Sequence, residues 1–187
     1  MRHLGFASSF VCLLCSSVAI AQVDSTHRRH QPWVEIMLGS RLPGGFFAIS
    51  GGVELGRFLI PNAVFGLGGG PDGATIALGN EVRILAHRRL ELRAFAYGSY
   101  AFGREEVDEF NSGYVKTTES SRSVKLGGSV ILHTNLDVAF SIRAGYSFAL
   151  DVPMVTEERP TGTTSHPADA GYFSNALLLG AGVMIPL

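Results

Sequence analysis

Eight ionisable residues fall on one of the two alternating faces of their short apolar segments: Glu35, Glu54, Glu81 and Glu91, with Arg83, Arg93, Lys125 and Arg143. Apart from Asn80 before Glu81, their sequence neighbours are apolar, as with Val34 and Ile36 around Glu35, Val82 between Glu81 and Arg83, and Leu92 between Glu91 and Arg93. Four acids against four bases suit a closed interior in which each charge finds a partner, because an unpaired buried charge is costly. The predicted role is a structural ion-pair network. One register supports it. If Leu85 opposes Arg89 across a three-residue turn, Ala86-His87-Arg88, then Arg83 faces Glu91 and Glu81 faces Arg93. A slip of two residues would set Arg83 against Arg93, which repels.

Other chemistry is thinner. The segment from Arg104 to Ser121 holds Glu105, Glu106, Asp108, Glu109 and Glu119 against Arg104 and Lys116. The segment from Asp151 to Gly171 holds Asp151, Glu157, Glu158 and Asp169 against Arg159. Such carboxylates can hold divalent cations that bridge to lipopolysaccharide phosphates, and Phe110 and Tyr114 can anchor a protein partner. The plainer reading, that these acids keep an exposed surface hydrated, outweighs both. Glu105-Glu106 and Glu157-Glu158 are adjacent, so their side chains diverge and do not form a catalytic carboxylate pair. His27 and His30 are three apart in His27-Arg28-Arg29-His30, but nothing around them predicts the helix that would make them co-ligands. No nucleotide loop, zinc-type His/Glu motif or twelve-residue calcium loop is present. No metal site, cofactor or catalytic group is expected.

The elements that must position the charged face are strands. Ser123 to Leu150 sets the pattern. Val124, Leu126, Gly128, Val130 and Leu132 alternate with Ser123, Lys125, Gly127, Ser129 and Ile131, and after Thr134-Asn135-Leu136 the alternation resumes with Val138, Phe140, Ile142, Ala144, Tyr146 and Phe148 on one face. A period of two marks a half-buried strand. The run length of about ten matches the ~9–11 residues that a tilted strand needs to cross a bilayer. The same reading gives strands over 33–41, 46–57, 63–70, 75–85, 89–103 and 173–185. Turns fall at Leu42-Pro43-Gly44-Gly45, Pro61-Asn62 and Pro71-Asp72-Gly73. Helical periodicity is absent from the chain after residue 21. The fold class is all-β: a single antiparallel up-and-down transmembrane β-barrel of eight strands, with 104–121 and 151–171 as long polar loops.

Compartment follows from the start of the chain. Met1-Arg2-His3 precedes an apolar run to Ile20, and Ala19-Ile20-Ala21 supplies the small residues of a signal-peptidase site. Residues 1–21 therefore read as a signal peptide, 22–31 as a polar leader and 32–187 as the barrel domain. A lipoprotein reading fails because Leu14 precedes Cys15 where a small residue is needed. Both cysteines, Cys12 and Cys15, lie in the removed segment, so no disulfide is expected. Removal takes one base, Arg2, and no acid, moving the formal charge from −1 to −2. No strong overall field points to nucleic acid.

The apolar face is assigned to lipid. In a soluble, lipocalin-like barrel the same face would turn inward, and the outer face would then carry about one charge per strand, fewer than water usually demands. Aromatic residues favour lipid too: Trp33 and Phe58 at the periplasmic ends, and Phe47, Phe102, Tyr146, Phe148, Tyr172 and Phe173 at the outer ends. In strand number, alternation and long outer loops, the chain resembles the small eight-stranded outer-membrane barrels. That group contains the transmembrane domain of outer membrane protein A and the opacity-type surface proteins. The resemblance covers the whole mature chain, 22–187. It implies residence among outer-membrane lipid and lipopolysaccharide, and insertion by the barrel-assembly machinery. One departure is the end, Met184-Ile185-Pro186-Leu187, where such barrels usually carry a terminal aromatic; it points to a lineage with a looser signal. Some barrels of this size deacylate lipid A through a His-x-Ser-Asn element, but the residue two before Ser174-Asn175 is Tyr172, while His166 and His133 lie elsewhere. An interior plugged by ion pairs with Phe95, Tyr97 and Met37 leaves function to the loops. The extracellular partner is not named by the sequence.

Overall fold

The computed structural model describes residues 32–55, 58–67, 73–107, 113–168 and 175–187. The signal segment and leader, and Asp108, Glu109, Phe110, Tyr172, Phe173 and Ser174, lie outside the described residues.

Eight strands close on themselves: β1 (Pro32–Leu42), β2 (Gly45–Val53), β3 (Leu59–Leu67), β4 (Ala74–His87), β5 (Leu90–Ala101), β8 (Ser121–His133), β9 (Ala139–Ala149) and β12 (Ala176–Pro186). Their order around the barrel is β1-β12-β9-β8-β5-β4-β3-β2, and every neighbouring pair is antiparallel. The seam joins β1 to β12, with Trp33 opposite Pro186 and Ser40 opposite Leu179. Alternation decides the two faces. Along β9, Ser141, Arg143 and Ser147 are buried while Phe140, Ile142, Ala144, Tyr146 and Phe148 are exposed. The charged face is therefore the inner one, and the inverted, lipocalin-like arrangement does not occur.

The lower end of the barrel carries the connections 54–58, 88–89 and 134–138; the upper end carries the others. Inside, one apolar cluster contains Met37, Leu42, Phe95, Tyr97 and Leu178, and a second contains Trp33, Ile60, Ile131, Ala139 and Met184. On β1, Glu35 lies between Trp33 of one and Met37 of the other.

Five expectations need correction. The turn expected at Pro61-Asn62 lies inside β3. The chain reverses earlier, with Leu55 N–H donating to the Leu59 carbonyl at 2.8 Å. Pro61 is tolerated because the β2–β3 ladder ends at Gly52–Asn62, one residue short of the proline that lacks an N–H. The β4–β5 turn is Arg88-Arg89 rather than Ala86-His87-Arg88, with Arg88 in the left-handed region at φ 51°. A bulge between Arg83 and Leu85 also leaves Ile84 and Leu85 both facing out. The register therefore places Arg83 opposite Arg93, the arrangement expected to repel.

Trp33, assigned to a membrane interface, is only 4% exposed and points into the barrel, as its shared parity with Glu35 dictates. The two segments expected as loops contain strands: β6 (Arg104–Val107), β7 (Val115–Thr118), β10 (Met154–Arg159) and β11 (Gly162–Pro167). They form a separate four-stranded sheet, ordered β11-β10-β7-β6, above the β5–β8 and β9–β12 half of the barrel.

Finally, the short β1–β2 turn is a plug rather than an exposed loop. Arg41 adopts φ 59° and the register slips between Leu38 and Leu42, so Leu42, Pro43 and Gly44 are all buried. Gly44 lies so close to Gly66 that a Cβ on Gly66 would run into the Gly44 carbonyl.

Candidate functional site

Each charged side chain of the interior arrives from a strand whose opposite face is apolar, so the pleat aims it at the lumen. Arg143 on β9 divides its guanidinium between two strands, Nη1 donating to Glu81 at 2.5 Å and Nη2 to Glu35 at 2.6 Å. Glu81 also takes Arg93 Nη1 at 3.1 Å and the Tyr97 hydroxyl at 2.6 Å. Glu91 Oε1 accepts from Arg93 Nε at 2.5 Å and from Arg83 Nε at 2.7 Å. Arg83 Nη2 reaches Glu54 at 2.6 Å. Acid and base thus alternate across the lumen from Glu35 through Arg143, Glu81, Arg93, Glu91 and Arg83 to Glu54.

This geometry resolves the unfavourable register. Arg83 and Arg93 are direct neighbours, but Glu91 binds both, and Glu54 Oε1 lies 2.6 Å from one and 3.6 Å from the other. The expected pairs, Arg83 with Glu91 and Arg93 with Glu81, therefore form diagonally instead of face to face. Lys125 follows another pattern, its Nζ donating to the Leu42 carbonyl at 2.9 Å and so fastening the plug.

The sequence reading placed Tyr97 inside but omitted the other neutral groups that complete the network. Asn62 Nδ2 donates to the Tyr97 hydroxyl at 2.6 Å, and Ser50 and Ser141 both donate to Glu35. His133 Nε2 lies 3.2 Å from Glu91. Parity was the available signal: Tyr97, His133 and Ser141 share the inward face with a charge on their own strand, and Ser50 shares its parity with Glu54 just past the end of β2. Arg143 also lies over the Phe95 ring and Arg93 over the Trp33 ring, with 5.7 and 5.9 Å from guanidinium carbon to ring centre.

In the upper sheet, Glu106 pairs with Arg104 at 3.3 Å, and Glu157 pairs with Arg159 at 2.7 Å and lies 3.8 Å from His166 Nε2. Arg159 stacks over Tyr114 at 5.5 Å. The Arg159 hydrogen bond holds the Glu157 carboxyl below its ordinary pKa. Glu105 and Glu158 fall on the opposite side of their strands from Glu106 and Glu157 and are exposed. Among the described residues, no group of three or more His, Cys, Asp or Glu side chains is placed to hold a metal. His166 Nδ1 lies 3.0 Å from its neighbour's carbonyl on Pro167, and His133 sits at the other end of the barrel. Asn175 Oδ1 accepts the Ala149 N–H at 3.0 Å, a link between β9 and the start of β12.

No protein-family model and no curated protein matches this chain. A solved structure does. The fold is similar to that of a major outer membrane protein from Thermus thermophilus. The crystal structure of that protein aligns with a TM-score of 0.52 at 14% identity, over 86% of this chain and 100% of that one. At that identity the likeness to the Thermus protein is one of architecture. The network is argued from this chain's own side chains.

Proposed function

We propose that this chain is an outer-membrane β-barrel of the fold group that includes outer membrane protein A and the opacity-type proteins. Its role is structural or one of surface interaction, carried by segments 104–121 and 151–171, and it is not an enzyme. The observation that carries this reading is the outward face of the closed barrel. Leu38 on β1, Phe65 on β3, Leu78 on β4, Ile142 on β9 and Leu177 on β12 are between 54% and 70% exposed, with further apolar residues between them. Monomeric soluble proteins rarely leave so continuous an apolar surface to water. A bilayer removes the penalty, and closure leaves no unpaired strand edge in the hydrocarbon. The likeness to the Thermus outer membrane protein supports the same compartment.

The test is fractionation combined with gel mobility. The chain is expected in the outer-membrane fraction, resistant to SDS when unheated and shifted after boiling; a soluble chain with no shift would overturn the reading. Loop recognition is tested by deleting Glu105–Glu119. The barrel should still show the heat-dependent shift, because β6 and β7 contribute nothing to its ladder, while a surface-binding phenotype should be lost. For the enzymatic alternative, His166→Ala and Ser174→Ala are expected to leave lipid A acylation unchanged. Lipid and lipopolysaccharide are the partners this reading implies, with the barrel-assembly machinery needed for insertion.

A further inference from the structure

Midway along β4 the lipid-facing surface carries a polar side chain. Asn80 is exposed on the outward face, with Ile76 and Leu78 above it on the strand and Val82 and Ile84 below. Among the described residues of the barrel strands, the other polar side chains at outward positions are Ser40, His87 and Arg122, each within two residues of a strand end. The Asn80 carboxamide makes no hydrogen bond among the described residues. In water that would cost nothing. In hydrocarbon an amide finds neither water nor a partner in an acyl chain, and leaving it bare is unfavourable. The surface around it is also low. Asn80 is flanked in register by Pro61 on β3 and Ala96 on β5, with Ala63 and Gly98 diagonal to it. A Cβ added to Gly98 would meet no atom within 4 Å, so the barrel's own packing does not demand a glycine there.

We propose that this patch is the contact between two copies of the chain, with the two Asn80 side chains meeting at a two-fold axis. The proposal rests on the membrane reading above and adds the partner. A carboxamide both donates and accepts, so two of them related by a two-fold axis satisfy each other with a reciprocal pair of hydrogen bonds. Copies inserted in the same direction carry the amide at the same depth, and an axis along the membrane normal preserves that match. A lipid tail offers no such group. The short neighbours let the two backbones approach closely enough for a side chain as short as asparagine to bridge them. Leu78, 64% exposed, and Val82 supply apolar contact on either side of the amides.

The experiment measures energy transfer between copies of the full chain in dimyristoylphosphatidylcholine vesicles over a range of protein-to-lipid ratios. Dyes are attached through Leu136→Cys, an 82% exposed position in the β8–β9 turn. Cys12→Ser and Cys15→Ser leave it the only thiol, since the sequence has 2 cysteines. The parent is expected to show transfer above that of randomly dispersed chains. Asn80→Leu should weaken association about tenfold. Gly98→Leu, which keeps the amide but raises the surface beside it, should abolish association. Both positions face outward, so both variants should retain the heat-dependent gel shift. Transfer as strong in Asn80→Leu or in Gly98→Leu as in the parent would overturn the proposal and place the association on another surface. Transfer at the random level in a parent that inserts and shows the gel shift would overturn it too, and leave the membrane reading standing. A parent that neither inserts nor shifts overturns the membrane reading, and the proposal with it.

Discussion

Arg143 and Glu81 meet inside the barrel at 2.5 Å although 62 residues separate them in sequence. Both are essentially inaccessible, at 1% and 0%, and Arg143 simultaneously holds Glu35. Replacing this guanidinium leaves two carboxylates buried without their shared cation. Arg143→Met is therefore predicted to cost about 3–5 kcal/mol, read as a lower denaturant midpoint in detergent. Adding Glu35→Gln should restore part of the loss, because one stranded charge is removed. A single variant as stable as the parent would show that the pair contributes nothing to folding.

Glu91 keeps Arg83 and Arg93 from repelling one another. Glu91→Gln should consequently be more damaging when Arg83 is present than in an Arg83→Met background. A double-mutant cycle is predicted to give a coupling of roughly 0.5–3 kcal/mol. Simple additivity would mean that Glu54 alone suffices to separate the two arginines.

The plug makes Leu42 a core residue despite its place in a turn. Leu42→Ala is predicted to lose about 2–5 kcal/mol, as much as a mid-strand truncation. Amide exchange should rise at Leu42 to Gly45 and not in β9. If stability is unchanged, the turn is not packed in the lumen in solution.

At the upper rim, Asp151 accepts hydrogen bonds from the Arg122 backbone N–H and guanidinium, each at 2.7 Å. Slight burial acts to raise its pKa, and these two bonds outweigh it, so the carboxyl titrates below its usual 3.8. A depressed folded-state pKa means stability that is present above the unfolded value and disappears as pH falls through the folded one. The Arg122 side chain is 66% exposed, so solvent screening limits the contribution to about 0.2–1 kcal/mol. Asp151→Asn should show that small deficit at pH 7 and match the parent by about pH 2, below the ordinary carboxylate range. Unfolding midpoints at the two values check it.

Strand number, face and charge pairing were legible in the sequence because alternation at period two survives even where packing is imperfect. Arg143 between Ile142 and Ala144 is read inward by parity alone, and Trp33, two residues before Glu35, is assigned correctly once the same rule is followed instead of a general preference of aromatics for interfaces. What alternation does not carry is anything that breaks its count. The bulge at Ile84 adds one residue to β4, the left-handed Arg41 turns Leu42 inward, and Pro61 pairs with β4 where the β2–β3 ladder has already stopped. Each depends on what lies across the lumen or in the next strand. The upper sheet escaped notice for a related reason. Strands of four to six residues, such as the polar β11 or a β10 whose one buried apolar side chain is Val155, are too short for an alternating apolar face to betray them.

The β1–β12 seam also fixes an order of events. Trp33 and Pro186 are paired neighbours from opposite ends of the described chain, so the ladder cannot close until the last strand has arrived. Contacts this distant in sequence form slowly. Throughout that wait β1 carries a row of unsatisfied amide and carbonyl groups beside an apolar face, the combination most prone to pair with a stranger. The nascent chain is at its most vulnerable just before completion, and anything that shelters β1 until β12 is delivered determines how much barrel is made.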